Sequence, residues 1–414
     1  MEGDQLMARA STTTKKEETA LPGAAAAAGL RTITAELAEM YFEREEEIRA
    51  LAVALLARQH IVLVGPPGTA KSELAREFTS RIVDARFFDY EFNEFTEPTA
   101  IFGPPDLGAL MRGEYRQVLE GRATQAEIMF LDEIFNCGVA LHALHGLLNE
   151  RLYHPESGGP PIECPLISAV AATNKIPEGN MLLAFYDRLL IRLEVGYLQE
   201  AENFARMLAA PPRSAAESKR TTVPLADVLE AVQKGVPAVE LPSSVITRIA
   251  TLRARLGKEG LTPSDRRWRQ CADVLRASAF LDGRTRVELS DLVMLVHCLW
   301  HKPSQRTTVE KAVVKLADPD QIKLANIVDG LDKLEADFNA IRDTDDDAQK
   351  SAWIIRELTT NMRRAKEELT ALREKAVRAG RPTDLYDEAI ARRKELARRM
   401  SENTLGLDAD DEED

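Results

Sequence analysis

The stretch VGPPGTAKSELA, Val64 to Ala75, places two glycines, two prolines and a lysine between an apolar run and a helix-like segment. It fits the pattern G-x-x-x-x-[GA]-K-[ST] at Gly65, Ala70, Lys71 and Ser72. In such a loop, glycines let consecutive backbone N–H groups turn inward, and the helix that follows offers its free N–H groups to phosphate oxygens. We therefore predict a polyphosphate loop in which Lys71 reaches the β- and γ-phosphates and Ser72 binds Mg²⁺.

Alanine at position 70 stands where a glycine would be expected directly before the lysine. Its small side chain narrows the freedom of the backbone but weakens the match only slightly. An ordinary turn is the alternative, and a matching acidic motif downstream argues against it. With ATP and Mg²⁺ as ligands, the predicted nucleotide-binding residues of the loop are Gly65, Pro66, Pro67, Gly68, Thr69, Ala70, Lys71, Ser72 and Glu73.

Two further apolar runs end in polar residues that suit phosphate chemistry. IMFLDEI ends a strand-like run in Asp132 and Glu133, and SAVAATN ends in Asn174. Ligands of parallel sheets sit at the carboxyl ends of the strands. We predict that Asp132 binds the nucleotide and its Mg²⁺, that Glu133 acts as a general base on the attacking water, and that Asn174 orients that water.

Arginines follow in two places. LLAFYDRLLIRLEV carries Arg188 and Arg192, and an arginine offered to a neighbouring subunit's γ-phosphate stabilises the charge of the transition state. Asp187 also allows a structural ion pair with Arg188. In TPSDRRWRQCADVL, Ser264 is predicted to cap a helix whose first turn holds Arg266 and Arg267, where a bound phosphate would offset the unfavourable helix dipole.

Alternating strand and helix patterns predict a parallel α/β sheet in the first half of the chain. After a Pro/Ser/Ala-rich connection near residue 210, the patterns become helical. Two apolar seams with alternating three- and four-residue steps, separated by the polar RDTDDDAQ, then predict an antiparallel helical hairpin, and another charged helix is predicted to follow it before the acidic tail. The seam residues are Leu324, Ile327, Leu331, Leu334, Phe338 and Ile341, followed by Ile355, Leu358, Met362, Ala365, Leu369, Leu372 and Ala376.

These motifs, in this order, resemble the MoxR group of AAA+ ATPases, and its RavA-like branch in particular. GPPGTAKS, EFTEPTAIFGPPDLGAL, AEIMFLDEIF, LLNER, AATN, YDRLLIRL and SDRRWRQCADVLRASAF carry the resemblance over roughly residues 30–305. It implies an α/β ATPase core, a helical lid and a homo-hexameric ring with ATP between subunits. It also implies that Asn174 is the first sensor, Arg188 the finger from the neighbour and Arg266 the second sensor.

The resemblance divides the chain into five parts. They are a disordered leader at 1–30, the AAA+ core at 31–210, the lid at 225–306, the helical hairpin or coiled coil at 318–402 and an acidic tail at 403–414. The hairpin replaces the β-rich module of the RavA-like protein, so that protein's partner is not expected here. The family commonly works with a von Willebrand factor A-type (vWA) partner as a chaperone or remodeller.

The segment 93–127 lies where such rings carry insertions that face the central pore. Arg112, Tyr115 and Arg116 in this segment indicate either substrate contact in the channel or a polar β-hairpin at the surface. The two interpretations are equally compatible with the sequence.

Composition narrows the function classes. The 414-residue chain has a formal net charge of −13, which argues against a general nucleic-acid-binding protein. Four scattered cysteines are expected to be buried thiols of a reducing compartment, and no run is apolar enough to span a membrane, so we expect a cytoplasmic protein. Besides the ATP-driven remodeller, two alternatives stay open: a nucleic-acid-dependent ATPase and a nucleotide-gated scaffold with slow hydrolysis.

Overall fold

The structure is a computed structural model. It describes residues 21–136, 140–155, 160–176, 180–209, 220–317, 319–342, 347–378 and 383–405. These residues form two compact units, one drawn from residues 1–250 and 260–306 and the other from 251–259 and 307–414. The predicted acidic tail lies outside the described residues from position 406 onward, and so does the leader up to position 20.

A five-stranded parallel sheet organises the first unit. Its strands are Phe87–Glu91 (β3), Ile128–Asp132 (β4), Ser168–Thr173 (β7), His60–Val64 (β1) and Leu189–Glu194 (β8), in that spatial order. Residues 61–64 of β1 and 128–131 of β4 are fully buried, as expected for parallel strands covered on both faces. The predicted α/β class is therefore confirmed, and the carboxyl ends of β1, β4 and β7 meet at one edge.

Short strands complete the β structure of the first unit. Ile82–Val83 (β2) pairs with Val223–Pro224 (β9), and Leu152–Tyr153 (β5) pairs with Ile162–Glu163 (β6).

Helices follow the strands in the order that the patterns predict. Those between residues 24 and 209 are Ala24–Met40 (α1), Glu45–Leu56 (α2), Lys71–Thr79 (α3), Pro98–Phe102 (α4), Leu107–Met111 (α5), Ala140–Glu150 (α6), Asn180–Tyr186 (α7) and Ala201–Ala209 (α8), with 3-10 turns at Ala123–Gln125 and Ile134–Asn136.

The region after residue 224 is helical, as predicted for the lid. It contains Leu225–Glu230 (α9), a π-turn at Ala231–Gly235, Val236–Ala238 (α10), Ser243–Lys258 (α11), Asp265–Leu281 (α12), a 3-10 stretch at Leu289–His297 and Pro303–Ala317 (α13). The last helix crosses residue 306, where the sequence placed the end of the lid. Of the helices in the described ranges, none combines the length and apolar composition that a membrane crossing requires.

The predicted leader extends too far. Helix α1 begins at Ala24, so residues 24–30, which fall in the predicted disordered leader at 1–30, are helical. The alanine run has high helix propensity and loses little side-chain entropy. Ala26, Ala27 and Leu30 are buried, so the run also packs against the unit instead of remaining solvated.

The second unit contains three long helical segments, which are the two predicted seam helices and the further charged helix. They are Pro319–Arg342 (α14); a continuous segment made of Asp347–Glu357 (α15), a π-turn at Leu358–Met362 and Arg363–Arg378 (α16); and Asp384–Leu405 (α17). Helix α17 packs against α14, α15 and α16. Its Leu396 and Met400 share one apolar cluster with Leu331, Leu334 and Phe338.

The π-turn explains the one seam position that is wrong. Ile355 was expected inside, but it is 48% exposed, and Ile354 is fully buried in its place. A π-turn takes one extra residue per turn and therefore shifts the apolar face by one position. Beyond the turn, Leu369, Leu372 and Ala376 are buried as predicted.

Candidate functional site

The loop at Val64–Ala75 curls tightly at the carboxyl end of β1. A Cβ atom on Gly65 would lie 2.0 Å from the carbonyl oxygen of Val195, so the backbones approach too closely for any side chain. Gly68 has φ +79° and Ala70 has φ 63°, both in the left-handed region. These two residues turn the chain so that α3 can begin at Lys71 with its first N–H groups facing the loop.

The side chain of Lys71 folds over the loop. Its Nζ donates to the carbonyl oxygens of Gly65 at 2.6 Å and Pro66 at 2.7 Å, and it lies 3.4 Å from Oδ1 of Asn174. Burial lowers the pKa of Lys71, against the opposing charges of Asp132 and Glu133. The ammonium group is therefore held at the mouth of the loop, where phosphate oxygens would replace the carbonyl oxygens as acceptors.

Ser72 and Asp132 form the oxygen pair of the predicted magnesium site. The Ser72 hydroxyl donates to Oδ2 of Asp132 at 2.6 Å, which joins the first turn of α3 to the end of β4. Mg²⁺ prefers oxygen ligands, and it is bound in nucleotide sites by one or two protein groups together with phosphates and water. The donor set fits that ion, and Ser72 and Asp132 are the residues that would hold it.

Glu133 and Asn174 meet beside this pair. Asn174 Nδ2 donates to Oε1 of Glu133, and the N–H of Glu133 donates to Oδ1 of Asp132 at 3.0 Å. Glu133 has φ 49°, a left-handed conformation that turns its side chain away from the strand. Burial, together with the charge of Asp132, raises the pKa of Glu133. A carboxylate with a raised pKa, oriented by an amide, is suited to accept a proton from water.

An open cleft of about 750 Å³ collects these groups. Its lining includes Pro67 to Glu73, Asp132, Glu133 and Asn174, whereas Gly65 and Pro66 are not part of it. Sequence reasoning missed Arg76, Glu77, Ser80 and Glu91, which line the same cleft. Glu91 reaches the cleft because it pairs directly with Asp132 in the sheet, a register that the sequence alone does not give.

Aromatic side chains also reach the loop region. The Tyr41 hydroxyl donates to Oε1 of Glu73 at 3.2 Å, and the Tyr197 hydroxyl donates to the Pro67 carbonyl oxygen at 3.3 Å. Neither tyrosine belongs to a motif, so no sequence pattern identified them.

The structure does not bring Arg188 or Arg266 into the cleft. Arg188 precedes Leu189, which pairs with His60 at the start of β1, whereas the loop follows the end of β1. Five strand residues at about 3.3 Å each separate the two sheet edges by about 16 Å. Arg188 and Arg266 lie close together at the amino edge, where burial and the charge of Arg266 lower the pKa of Arg188.

Arg192, the alternative finger, is wrong for that role. Its side chain is fully buried, and it donates to the carbonyl oxygens of Leu189 at 3.0 Å, Tyr186 at 3.0 Å and Trp300. The guanidinium also stacks over the Tyr186 ring, 4.0 Å from its centroid. Burial lowers the pKa of Arg192 to about 9. Its donors are engaged inside the unit, so it cannot reach a neighbouring subunit.

Arg267 is likewise internal. It is buried, bonds Asp187 Oδ1 at 2.7 Å, and donates to the carbonyl oxygens of Leu190 and Cys298. Ser264 caps α12 by accepting from the Arg267 N–H at 3.3 Å, as predicted. Cys271, Cys298 and Cys164 are buried free thiols, in line with the sequence, while Cys137 lies outside the described residues.

The segment expected at the pore has an antiparallel bridge between Pro105 and Gln117, so the β-hairpin interpretation holds for its base, and substrate contact in the channel stays a prediction. Pro104 and Val118 are hydrogen-bonded at its base, and the short helix α5 stands at its tip. Leu107 is 70% exposed and Met111 88% exposed, so the tip is apolar instead of a polar β-hairpin.

A family model for the MoxR domain in the MoxR-vWA-beta-propeller ternary systems matches residues 28–234. The chain belongs to the MoxR family of AAA+ ATPases. A second model, an AAA lid domain, matches residues 244–313 of this MoxR protein. The family match covers the loop, the acidic motif and Arg188, and the lid match covers Arg266 and Arg267.

Relatives of this MoxR protein include archaeal and bacterial chains. Protein MJ0079 of Methanocaldococcus jannaschii is 31% identical over 367 residues, covering 87% of this chain and 94% of its own. The chaperone MoxR1 of Mycobacterium tuberculosis is 32% identical over 192 residues, covering 43% of this chain and 48% of its own. These matches do not reach the finer RavA-like branch, which stays a prediction.

A solved structure of a candidate ATPase from Cytophaga hutchinsonii shares the fold. It aligns with a TM-score of 0.57 and 17% identity over 71% of this chain and 96% of its own. The match supports the predicted fold of an α/β core with a helical lid.

Proposed function

We propose that this MoxR protein hydrolyses ATP in a homo-hexameric ring and uses the energy to remodel a protein partner of the vWA type. The observation that carries the proposal is the meeting of Lys71, the Ser72–Asp132 pair and the Glu133–Asn174 pair in one cleft. The vWA partner is supported by the family model, whose description names MoxR-vWA-beta-propeller ternary systems.

In the proposed reaction, water attacks the γ-phosphorus in line with the bond to the β–γ bridging oxygen. Glu133 accepts the proton of that water, and Asn174 holds the Glu133 carboxylate in place. The bond between the γ-phosphorus and the bridging oxygen breaks, so that ADP and phosphate leave. Lys71 and the N–H groups of the loop hold the phosphate oxygens throughout.

Magnesium would supply positive charge at the β- and γ-phosphate oxygens. Ser72 and Asp132 would hold it, since their oxygens lie 2.6 Å apart at the head of the cleft.

The ring follows from the incomplete charge balance of a single subunit. The cleft at the carboxyl edge contains Lys71 beside the loop, and the other cation in its lining, Arg76, is paired with Asp89 at 2.6 Å, while Arg188 and Arg266 stand at the amino edge. A ring contact between these two edges would bring both arginines to a neighbour's γ-phosphate. There they would stabilise transition-state charge, an effect of about 10³-fold or more in other NTPases.

Client contact is assigned to the tip of the 104–118 segment. Leu107, Leu110 and Met111 are exposed on α5, with Arg112 beside them. Contiguous exposed apolar side chains are typical of protein-binding surfaces. We assign this tip to an apolar segment of the protein client and expect L107S/M111S to lose remodelling while basal hydrolysis is kept.

The test uses Glu133→Gln, with Glu163→Gln on the exposed strand β6 as the matched control. Glu133→Gln should bind ATP, assemble, and lose turnover by about 10²- to 10⁴-fold, the usual contribution of a general base. Affinity capture with the ATP-locked variant should recover a vWA-domain protein, and Glu163→Gln should behave like the parent.

Two results would replace the proposal. Turnover that rises with nucleic acid and falls steeply with salt would indicate a nucleic-acid-dependent ATPase. Full biological activity of the Glu133→Gln protein would indicate a nucleotide-gated scaffold, because remodelling could not then depend on hydrolysis.

A further inference from the structure

Two pairs of neighbouring residues contact each other at the amino edge of the sheet. Asp187 and Arg188 lead into β8, and Arg266 and Arg267 open α12. The inner members are joined, since Arg267 bonds the Asp187 carboxylate at 2.7 Å and the Asp187 carbonyl oxygen at 2.9 Å. The outer members, Arg188 and Arg266, are therefore carried side by side on an ion pair whose arginine is buried and whose Asp187 side chain is 40% exposed.

A third element orients the outer arginines. Arg266 Nη2 donates to Oδ1 of Asn149, near the end of α6. The Asn149 Nδ2 group lies 3.4 Å from Oε1 of Glu150, whose charge acts on Arg188. The amide thus faces a guanidinium on one side and a carboxylate on the other, which fixes the direction in which both of its polar atoms point.

Helix α6 is itself anchored at this point. His60 Nε2 donates to the Leu148 carbonyl oxygen at 2.8 Å, and His60 Nδ1 accepts from the Ala169 N–H at 3.0 Å. Both ring nitrogens are occupied, and burial lowers the pKa of His60 to about 3, so the imidazole stays neutral. Asn149 therefore stands on a support that is tied to β1 and β7.

We propose that Asn149 is a positioning residue that aims Arg266, and with it Arg188, at the nucleotide of the neighbouring subunit. The proposal rests on the role given above to these arginines in a ring. Asn149 does not touch the nucleotide of its own subunit, because it lies at the opposite edge of the sheet from the loop. Loss of its amide should therefore impair the neighbour's site and leave its own site intact.

Homomeric rings of Asn149→Ala should keep the parent KM for ATP and lose about 10- to 100-fold in kcat, the scale of a misplaced catalytic group. Asn149→Asp keeps an oxygen at the position that accepts from Arg266 and should recover most of the kcat. Gln270→Ala is the matched control, because Gln270 lies on the same helix as Arg266 and donates to Gln59 at 3.0 Å instead. Its kcat should equal that of the parent.

Mixed rings decide between an effect on the neighbour and a local structural effect. Asn149→Ala subunits have an intact Glu133, and Glu133→Gln subunits have intact arginines, so co-purified mixed rings should be more active than either homomer. In an equal mixture, about a quarter of all sites pair an intact acid with an intact arginine donor, and turnover should approach that fraction of the parent value.

A mixture of Arg188→Ala and Glu133→Gln subunits separates the positioning role of Asn149 from the trans role of Arg188 on which it rests. Recovery with Arg188→Ala but none with Asn149→Ala would overturn the positioning role and leave the trans arginine in place. Recovery with neither mixture would show that Arg188 does not act on the neighbouring subunit. Both the trans role of Arg188 and the positioning role of Asn149 would then be overturned. Parent-level turnover in Asn149→Ala homomers would also overturn the positioning role.

Discussion

The two edges of one parallel sheet are built in different ways. At the carboxyl edge, Lys71 and Ser72 come from one short motif, and Asp132 and Asn174 follow the neighbouring strands. At the amino edge, Asn149, Arg188 and Arg266 come from α6, the start of β8 and α12. The first site is local in sequence, and the second depends on packing between distant segments.

Charge also differs between the edges. In the cleft, the carboxylates of Asp132 and Glu133 stand near the Lys71 ammonium, so opposite charges meet. At the amino edge, burial and the charge of Arg267 lower the pKa of Arg192, and Asp187 is the carboxylate that bonds Arg267. Clustered guanidinium groups repel one another, and a phosphate from a neighbour would relieve that repulsion.

The largest expected effect at the amino edge comes from Arg188. We expect Arg188→Ala to lower turnover by about 10³-fold with ATP affinity unchanged, because the lost group acts on the transition state of a neighbour. Steady-state kinetics and equilibrium nucleotide binding on the same preparation check both parts. Equal turnover in variant and parent would exclude Arg188 as the finger.

Arg192 should give the opposite result. Arg192→Met leaves the carbonyl oxygens of Leu189, Tyr186 and Trp300 without their donor, which should lower the free energy of unfolding by about 3 kcal/mol. Denaturant unfolding measures this loss, and turnover per folded protein should stay near the parent value. A stable Arg192→Met protein with no turnover would contradict the structural role.

The sequence predicts the carboxyl edge better than the amino edge for a physical reason. A phosphate loop is specified by neighbouring residues, so Gly65, Lys71 and Ser72 could be placed from their spacing alone. Whether an arginine is buried depends on segments far away in the chain: Trp300 accepts from Arg192, and Cys298 accepts from Arg267. Hence Arg188 and Arg192 are equivalent in the sequence, and the structure shows that Arg192 is wrong as the alternative finger.

The helical parts show the same limit. The seam in α14 is readable because the apolar steps are local. The charged helix α17 is also predicted, but its packing into the cluster through Leu396 and Met400 is not. Similarly, the alanine run before residue 30 is compatible with a solvated leader until its burial is known.

Substitution of Glu91 tests whether residues at the carboxyl edge set the pKa of the general base, Glu133. The charge of Glu91 adds to burial and Asp132 in raising the pKa of Glu133, so Glu91→Gln should lower that pKa. Because a general base must be ionised, the acidic limb of the kcat–pH profile should move to lower pH in the variant. Glu163→Gln is the control and should leave the limb unchanged. A limb that moves upward would assign it to another group.

Substitution of Ala70 should give the smallest effect, and it tests the backbone of the phosphate loop itself. A left-handed alanine costs about 1 kcal/mol, which Ala70→Gly removes, but glycine also makes the unfolded chain more flexible by roughly 0.4–1 kcal/mol. The two changes oppose each other, so the free energy of unfolding should shift by less than about 0.5 kcal/mol. Ala70→Val, with a branched side chain at φ 63°, should be clearly less stable and bind ATP more weakly. A large gain in stability for Ala70→Gly would mean that the loop stores backbone strain at this position. The short-range specification of the carboxyl edge does not require such strain.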